Sequence, residues 1–311
     1  MTPRQVVVLL LLALTWGGSF LFIRVLIDGG VGPAGVSAGR CTLGAFALVP
    51  IALVTRARFP RDVRSIAAIC LLGVVNMAIP WTLFAVAESH VPTGVASVGN
   101  STTPLWAALA AIVLLKTEGL TRTQQAGLAL GFAGVVALSA DGLKGFDPES
   151  ALGTLLVAIA TLGYGVSAVS IRRWMGHLPA VTLTIGQLAT AAIVLWPVAL
   201  GTGAFEGATM GAAQWGSLAT LGIVGSGLAA AAYVWLIGEV GAVRASVVTY
   251  MMPPIGVLLG WLVLDERIGW NLVFGLGFVI GGVALVQGWA LHRLAWRAMA
   301  PLRRPPLPDT D

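Results

Sequence analysis

Apolar stretches long enough to cross a lipid bilayer recur along nearly the whole chain, and this pattern restricts the fold more than any other feature. Ten can be drawn, at 6–26, 34–54, 66–86, 94–115, 125–142, 152–171, 179–200, 215–236, 245–264 and 270–291. Each is close to the ~20 residues that span ~30 Å of hydrocarbon at 1.5 Å per residue. Only 10% of the residues are charged, too few to coat a globular surface, where about 25% is usual. In hydrocarbon every backbone amide must find its partner within the structure, so runs of this length predict helices. The predicted fold class is therefore all-α integral membrane, with ten transmembrane helices. A cleaved leader at residues 1–26 would need a small-x-small cleavage site at a suitable distance, and that pattern is missing there. Cys41 and Cys70 both fall inside apolar spans and read as core residues, not as a disulfide or a metal site.

Basic residues set the expected orientation. With the N-terminus in the cytoplasm, 14 of the 18 Lys and Arg residues fall on the inner side or in the basic tail. Only Lys144 and Arg267 fall outside, while Arg24 and Arg40 lie within spans. The positive-inside rule then places both termini in the cytoplasm of a cell whose inner (plasma) membrane holds the protein. The net charge of +5 belongs to these loops, and no basic face with interleaved aromatics suggests a nucleic-acid partner. The expected partners are the lipid bilayer and a small-molecule substrate.

The chain also repeats itself. Residues 71–115 align without gaps on 220–264 at an offset of 149, matching Gly73 with Gly222, Val91 with Val240 and Pro104 with Pro253. Elsewhere the offset is 148, matching Trp16-Gly17 with Tyr164-Gly165, Ser19 with Ser167, Glu118 with Glu266 and Gly127 with Gly275. The expected domains are residues 1–146, residues 147–292 and a basic, Pro-rich cytoplasmic tail at 293–311. A five-span unit repeated in tandem enters the membrane upside down the second time, an arrangement used by secondary transporters around a central cavity.

These residues carry a resemblance. The Trp16-Gly17 opening, Arg40 in the second span, Pro104, and Glu118 followed by Gly127 and Gly134 are similar to an EamA-type domain. The second half repeats the pattern with Pro253, Glu266-Arg267, Gly275 and Gly282-Val283. Two such domains in tandem resemble the drug/metabolite transporter superfamily over roughly residues 6–290. Lys116-Thr117 departs from the small or apolar residues usual before the glutamate. The resemblance implies ten helices and ATP-independent export of amino acids or similar small compounds. One chain would then suffice for the whole carrier, with a dimer left open.

Helical spacing marks candidate substrate residues. Ser97, Asn100, Ser101 and Pro104 fall on one face of the fourth span, and Ser246, Thr249, Tyr250 and Pro253 repeat that stripe in the ninth. Such stripes avoid lipid, and either line a cavity or bond between helices. Trp16 with Ser19 and Tyr164 with Ser167 form a matched pair in spans one and six. Asn76, Pro80 and Trp81 in the third span and Tyr233 in the eighth add amphipathic groups suited to a partly apolar substrate. Pro80, Pro104 and Pro253 are the expected hinges. Arg40 is the one deep ionisable group; it receives a substrate carboxylate, caps carbonyls or snorkels outward. Carboxylates fall only in loops, at span ends or in the tail, so no mid-membrane relay is visible.

Other functions find little support. Gly35-Val36-Ser37-Ala38-Gly39 spells a nucleophile-elbow pattern, but at the start of a membrane helix and without the required strand and turn. No nucleotide or metal motif appears, so an enzyme is not expected and no cofactor is called for. A passive pore would need a continuous polar path, whereas the polar groups form local patches. An assembly role without solute flux is the remaining rival.

Overall fold

A computed structural model describes residues 2–115, 121–138, 147–240 and 248–299. The side chains of Tyr250 and of residues 287–299 are among those outside the description, as are Glu118, Ser246 and the tail from residue 300. Among the described residues the chain is helical, with no strand.

The helices are α1 (Pro3–Asp28), α2 (Pro33–Val54), α3 (Val63–Ala87), α4 (Thr93–Asn100 and Thr103–Leu115) and α5 (Arg122–Leu138). They continue with α6 (Pro148–Met175), α7 (Ala180–Gly201), α8 (three segments, Ala212–Ala219, Thr220–Leu228 and Ala229–Val240), α9 (Val248–Leu264) and α10 (Trp270–Met299). Seven, namely α1–α4 and α6–α8, are long and apolar enough to cross a membrane by themselves. The fifth, ninth and tenth predicted spans fall on α5, α9 and α10, of which α5 and α9 are 17 residues each.

Local chemistry starts three of these helices three to four residues ahead of the predicted spans, at Pro3, Val63 and Pro148. Thr2 caps α1 reciprocally with Gln5, with Pro3 in the first helical position, where its missing N–H has no partner to lose. Asp62 accepts the Ser65 amide at 2.8 Å to open α3, and Asp147 accepts the amides of Glu149 and Ser150 to open α6. Gly30, at φ +83°, turns the chain sharply between α1 and α2.

Packing is reciprocal between the two halves. The first helix of each half lies against the fourth of the other, α1 on α9 and α6 on α4. The second of each lies against the third of the other, α2 on α8 and α7 on α3. The pairs α2–α7 and α5–α10 join equivalent helices. Repeat-matched glycines sit at these crossings. A Cβ on Gly17 would meet Ile255 at 2.8 Å, and one on its match Gly165 would meet the Ala107 amide nitrogen at 2.6 Å. A Cβ on Gly127 would meet the Gly282 carbonyl oxygen at 2.7 Å, and one on Gly134 the Gly275 carbonyl oxygen at 3.0 Å, so the α5–α10 seam is backbone against backbone. Gly127 and Gly131, four residues apart on α5, are both used within the bundle. Gly277 of α10, by contrast, has nothing within 4 Å of its would-be Cβ among the described residues.

Direction follows from the ends. His90, after α3, contacts Glu149 in the first turn of α6 at 3.3 Å. The loop after α1 bonds to the loop after α7, Gly32 N–H to Ala204 O at 2.7 Å. Glu266, after α9, caps the start of α4. One cleft, lined by Arg24, Asp28, His90 and Glu266 among others, joins these segments, so α6 begins at the end of the bundle where α1 finishes.

Candidate functional site

The third helix of each half winds through a π-helical stretch, Val74–Ala78 in α3 and Thr220–Leu228 in α8, at repeat-equivalent positions. Such stretches free carbonyls that an α-helix would occupy and are frequent at functional sites. In α3 the cause is visible: Pro80 has no N–H to donate back along the helix, and the Val75 carbonyl faces α6 at Gly163 instead. In α8, which has no proline here, the Ser226 hydroxyl donates to the Leu221 carbonyl at 2.8 Å, and the Gly225 carbonyl accepts the Trp16 indole N–H at 3.0 Å.

Arg40 lies against this second stretch. It is buried, and its Nε–H donates to the Ser226 hydroxyl oxygen at 3.0 Å while its guanidinium carbon sits 3.9 Å from the centre of the Trp81 ring. The sequence-based alternatives of carbonyl capping and snorkelling do not describe this side chain; it stays inside, held by a hydroxyl and an aromatic face. A desolvated cation–π contact of this kind stabilises by about 2 kcal/mol, against several kcal/mol to bury the charge. Among the described residues the ion pairs are Arg24–Asp28 and His90–Glu149, and no hydrogen bond engages the Nη atoms of Arg40. Its fork is therefore an unneutralised donor set inside the bundle.

Aromatic groups from both halves surround it. Trp81 faces the Tyr164 hydroxyl, Tyr164 stacks on Phe84 at 6.0 Å, and Phe84 meets Phe20 edge-on at 5.7 Å. Trp16 packs edge-on against Tyr233 at 5.0 Å. Gly225 and Ser226, adjacent in α8, thus link the Trp16–Tyr233 pair to the Arg40–Trp81–Tyr164 group. Asn76 donates to Gln187 at 2.8 Å in the reciprocal α3–α7 contact. Ser19 turns back to the Thr15 carbonyl at 2.9 Å, and the Ser167 hydroxyl is buried without a partner among the described residues.

The two polar stripes meet each other. Pro253 cannot donate to the Thr249 carbonyl four residues back, and the Ser101 hydroxyl donates to it across the seam at 3.0 Å. Ser97 donates to the Met252 carbonyl at 3.3 Å, and Asn100 approaches the Met252 sulfur at 3.9 Å. On the α4 side Pro104 frees the Asn100 carbonyl, which accepts from the Thr103 hydroxyl at 2.8 Å where the helix breaks. Ser97, Asn100 and Ser101 thus face Thr249 and Met252 across one interface, while the side chain of Tyr250 lies outside the described residues.

Sequence reasoning missed three participants. Gln187 lies in a row with Thr184 and Thr190 at a spacing of three, a signal that was passed over, and Ser226 is a lone serine in a Gly-rich run. Glu88, assigned to the loop side of a span end, is fully buried just past α3, and Arg24 bonds both to Asp28 and to the Glu88 main-chain carbonyl, at 2.6 Å.

Comparison with known proteins fits this architecture. The model of the EamA-like transporter family matches residues 4–140 and 151–287. The chain belongs to that family. Like other members it is a membrane transporter and not an enzyme. A probable terminal-alkyne amino-acid exporter of Streptantibioticus cattleyicolor is 27% identical over 290 residues, covering 93% of this chain and 95% of that one. The uncharacterized inner membrane transporter YedA of Escherichia coli is 27% identical and covers 88% of each chain. The uncharacterized transporter YdfC of Bacillus subtilis is 29% identical over 88% of this chain and 85% of its own. A crystal structure at 22% identity superposes with a TM-score of 0.63 over 94% of this chain and 99% of that one, which supports the fold.

Proposed function

We propose that this EamA-like protein exports small zwitterionic or neutral metabolites, amino acids foremost, by ATP-independent alternating access. The observation that carries this reading is the buried Arg40 guanidinium, which has no carboxylate partner among the described residues and touches groups from both halves. A substrate carboxylate would neutralise it, while Trp16, Trp81, Tyr164 and Tyr233 would hold the apolar part. Alternating access can be built from two halves of opposite direction around a shared site, and α6 starting where α1 ends supports that arrangement as two inverted five-helix repeats, divided near residue 147. The α4–α9 seam, with Pro104 and Pro253 beside hydroxyls that can release and rebind freed carbonyls, would be the hinge line, assisted by Pro80. Cytoplasmic termini follow from the basic loops and the tail.

The test is counterflow in proteoliposomes with a panel of labelled amino acids, amino-acid amides and neutral drugs. Amino acids should exchange. A charge-assisted hydrogen bond contributes about 1.5–3 kcal/mol, so Arg40→Gln should raise the KM for amino acids by roughly 10- to 100-fold and leave the amides almost unaffected. Equal losses for acids and amides would remove the carboxylate assignment. Exchange of drugs alone would turn the reading to drug export, and single-channel currents would turn it to a passive pore.

A further inference from the structure

At the Asp28 end of the bundle two carboxylates from opposite halves converge on the start of α4. Glu266, from the segment after α9, accepts the Thr93 and Gly94 amides at 2.7 and 3.1 Å and so occupies the positive end of that helix. Glu88, just past the end of α3, accepts the Thr93 hydroxyl at 3.3 Å with Oε2. Its Oε1 is buried with no hydrogen-bond partner among the described residues. Arg24, the nearest basic group, is committed elsewhere, to Asp28 and to the Glu88 main-chain oxygen. Of the other charged groups nearby, Arg40 of α2 is held on Ser226 and Trp81, and His90 contacts Glu149 of α6. A cleft of about 290 Å³, lined by Arg24, Asp28, His90, Val91 and Glu266 among others, begins beside this cluster.

We propose that Glu88 is a proton-binding site that latches the two halves at this end: as a carboxylic acid it stays buried against the α9–α10 segment, and as a carboxylate it must reach the cleft. Release of the proton and parting of α4 from Glu266 are then one event. The inference rests on the rocking of the two halves proposed above. Burial, and next the Glu266 charge, push the Glu88 carboxyl well above the usual carboxylate range, against smaller opposing effects of Thr93, Arg24 and Arg40. In the opened form, in contact with water, it would titrate in the ordinary carboxylate range. Between those two values the closed form gains as pH falls, by up to about tenfold in the closed-to-open ratio per pH unit for one linked proton. Above the raised value the charge favours opening, and below the ordinary value the dependence ends.

The test uses the full chain in detergent, without substrate. Val91, at 2% exposure on the cleft wall, is replaced by Cys in a Cys70→Ser background, with Cys41 left buried. The rate of labelling by a charged maleimide is divided by the rate in the same protein carrying Glu88→Gln, which cancels the thiol's own titration. The ratio should climb up to tenfold per pH unit across part of the range between mildly acid and alkaline. Glu266→Gln keeps one of the two capping acceptors without the charge and should move the midpoint to lower pH. The infrared carboxylic-acid band of the parent at neutral pH should vanish in Glu88→Gln. A flat ratio, or a band untouched by Glu88→Gln, overturns the proposal. Should Glu88→Gln not fold, an unmoved midpoint in the absolute labelling rate of Glu266→Gln overturns it. Amino-acid counterflow with a flat ratio would sink the latch alone, and a pH-dependent ratio without counterflow would sink the substrate reading alone.

Discussion

Adding a single methyl group at Gly282 should separate the α5–α10 seam, and a matched change at Gly277 provides its control. A Cβ at Gly282 would fall on the Gly131 amide nitrogen, the Gly127 carbonyl oxygen and the Gly131 Cα, the last at 2.6 Å. All three are backbone atoms and cannot rotate away, and ordinary Cβ contacts lie at 3.4–4 Å. The helices must therefore part by close to an ångström along a seam that holds Gly127, Gly134 and Gly275 in similar contact. Overpacking of this kind costs about 1–3 kcal/mol, of which the better helix propensity of Ala returns about 1. Gly282→Ala should thus lose up to about 2 kcal/mol net, and larger side chains should fail to fold. Gly277→Ala carries the same propensity gain into open space and should be neutral or stabilising by up to about 1 kcal/mol. Thermal unfolding of the purified protein in detergent, followed by the fluorescence of a thiol-reactive dye on Cys41 or by circular dichroism, separates the two. Equal stability of Gly282→Ala and Gly277→Ala would refute the backbone-to-backbone packing.

Further outcomes follow from single contacts. Trp16→Phe keeps the edge-on packing with Tyr233 but leaves the π-stretch carbonyl of Gly225 unpaired, and should lower stability by about 1–3 kcal/mol in the same melts. In a double-mutant cycle, Asn76→Ala and Gln187→Ala should couple by about 0.6 kcal/mol, the average for interhelical hydrogen bonds in a membrane protein, and zero coupling would break the α3–α7 contact. The Ser65 amide holds the Asp62 carboxyl below its ordinary range. The cap is therefore complete above the unfolded value near 3.9 and is lost as pH falls through the lowered folded value. Melts taken across that acid window should show this decline, and Asp62→Asn, which keeps an acceptor but does not titrate, should flatten it.

Much of the fold was legible in the chain because its causes are local or repeated. Run length announces membrane helices, while the caps at Thr2, Asp62 and Asp147 start three of them three to four residues ahead of the predicted spans. The glycines shared by the two halves proved to be the points where helices cross, since close approach needs a missing side chain at the same place in each copy. The stripes were legible as stripes, and both alternatives left open for them were physically reasonable. What decides their contacts is the partner helix: Ser101 meets the carbonyl that Pro253 frees, and that carbonyl lies 148 residues away.

By itself, then, the sequence determined the class of fold, the tandem repeat and the glycines that the two halves share, because each is written in spacing along the chain. Only the tertiary structure decided which polar groups share a neighbourhood. Arg40 reaches Ser226 and Trp81, Asn76 reaches Gln187, and Glu88 is sealed beside Glu266, each pairing joining helices or loops whose residues carry no mark of one another. Burial and pairing depend on how whole helices pack, and packing is a property of the bundle that no single segment contains.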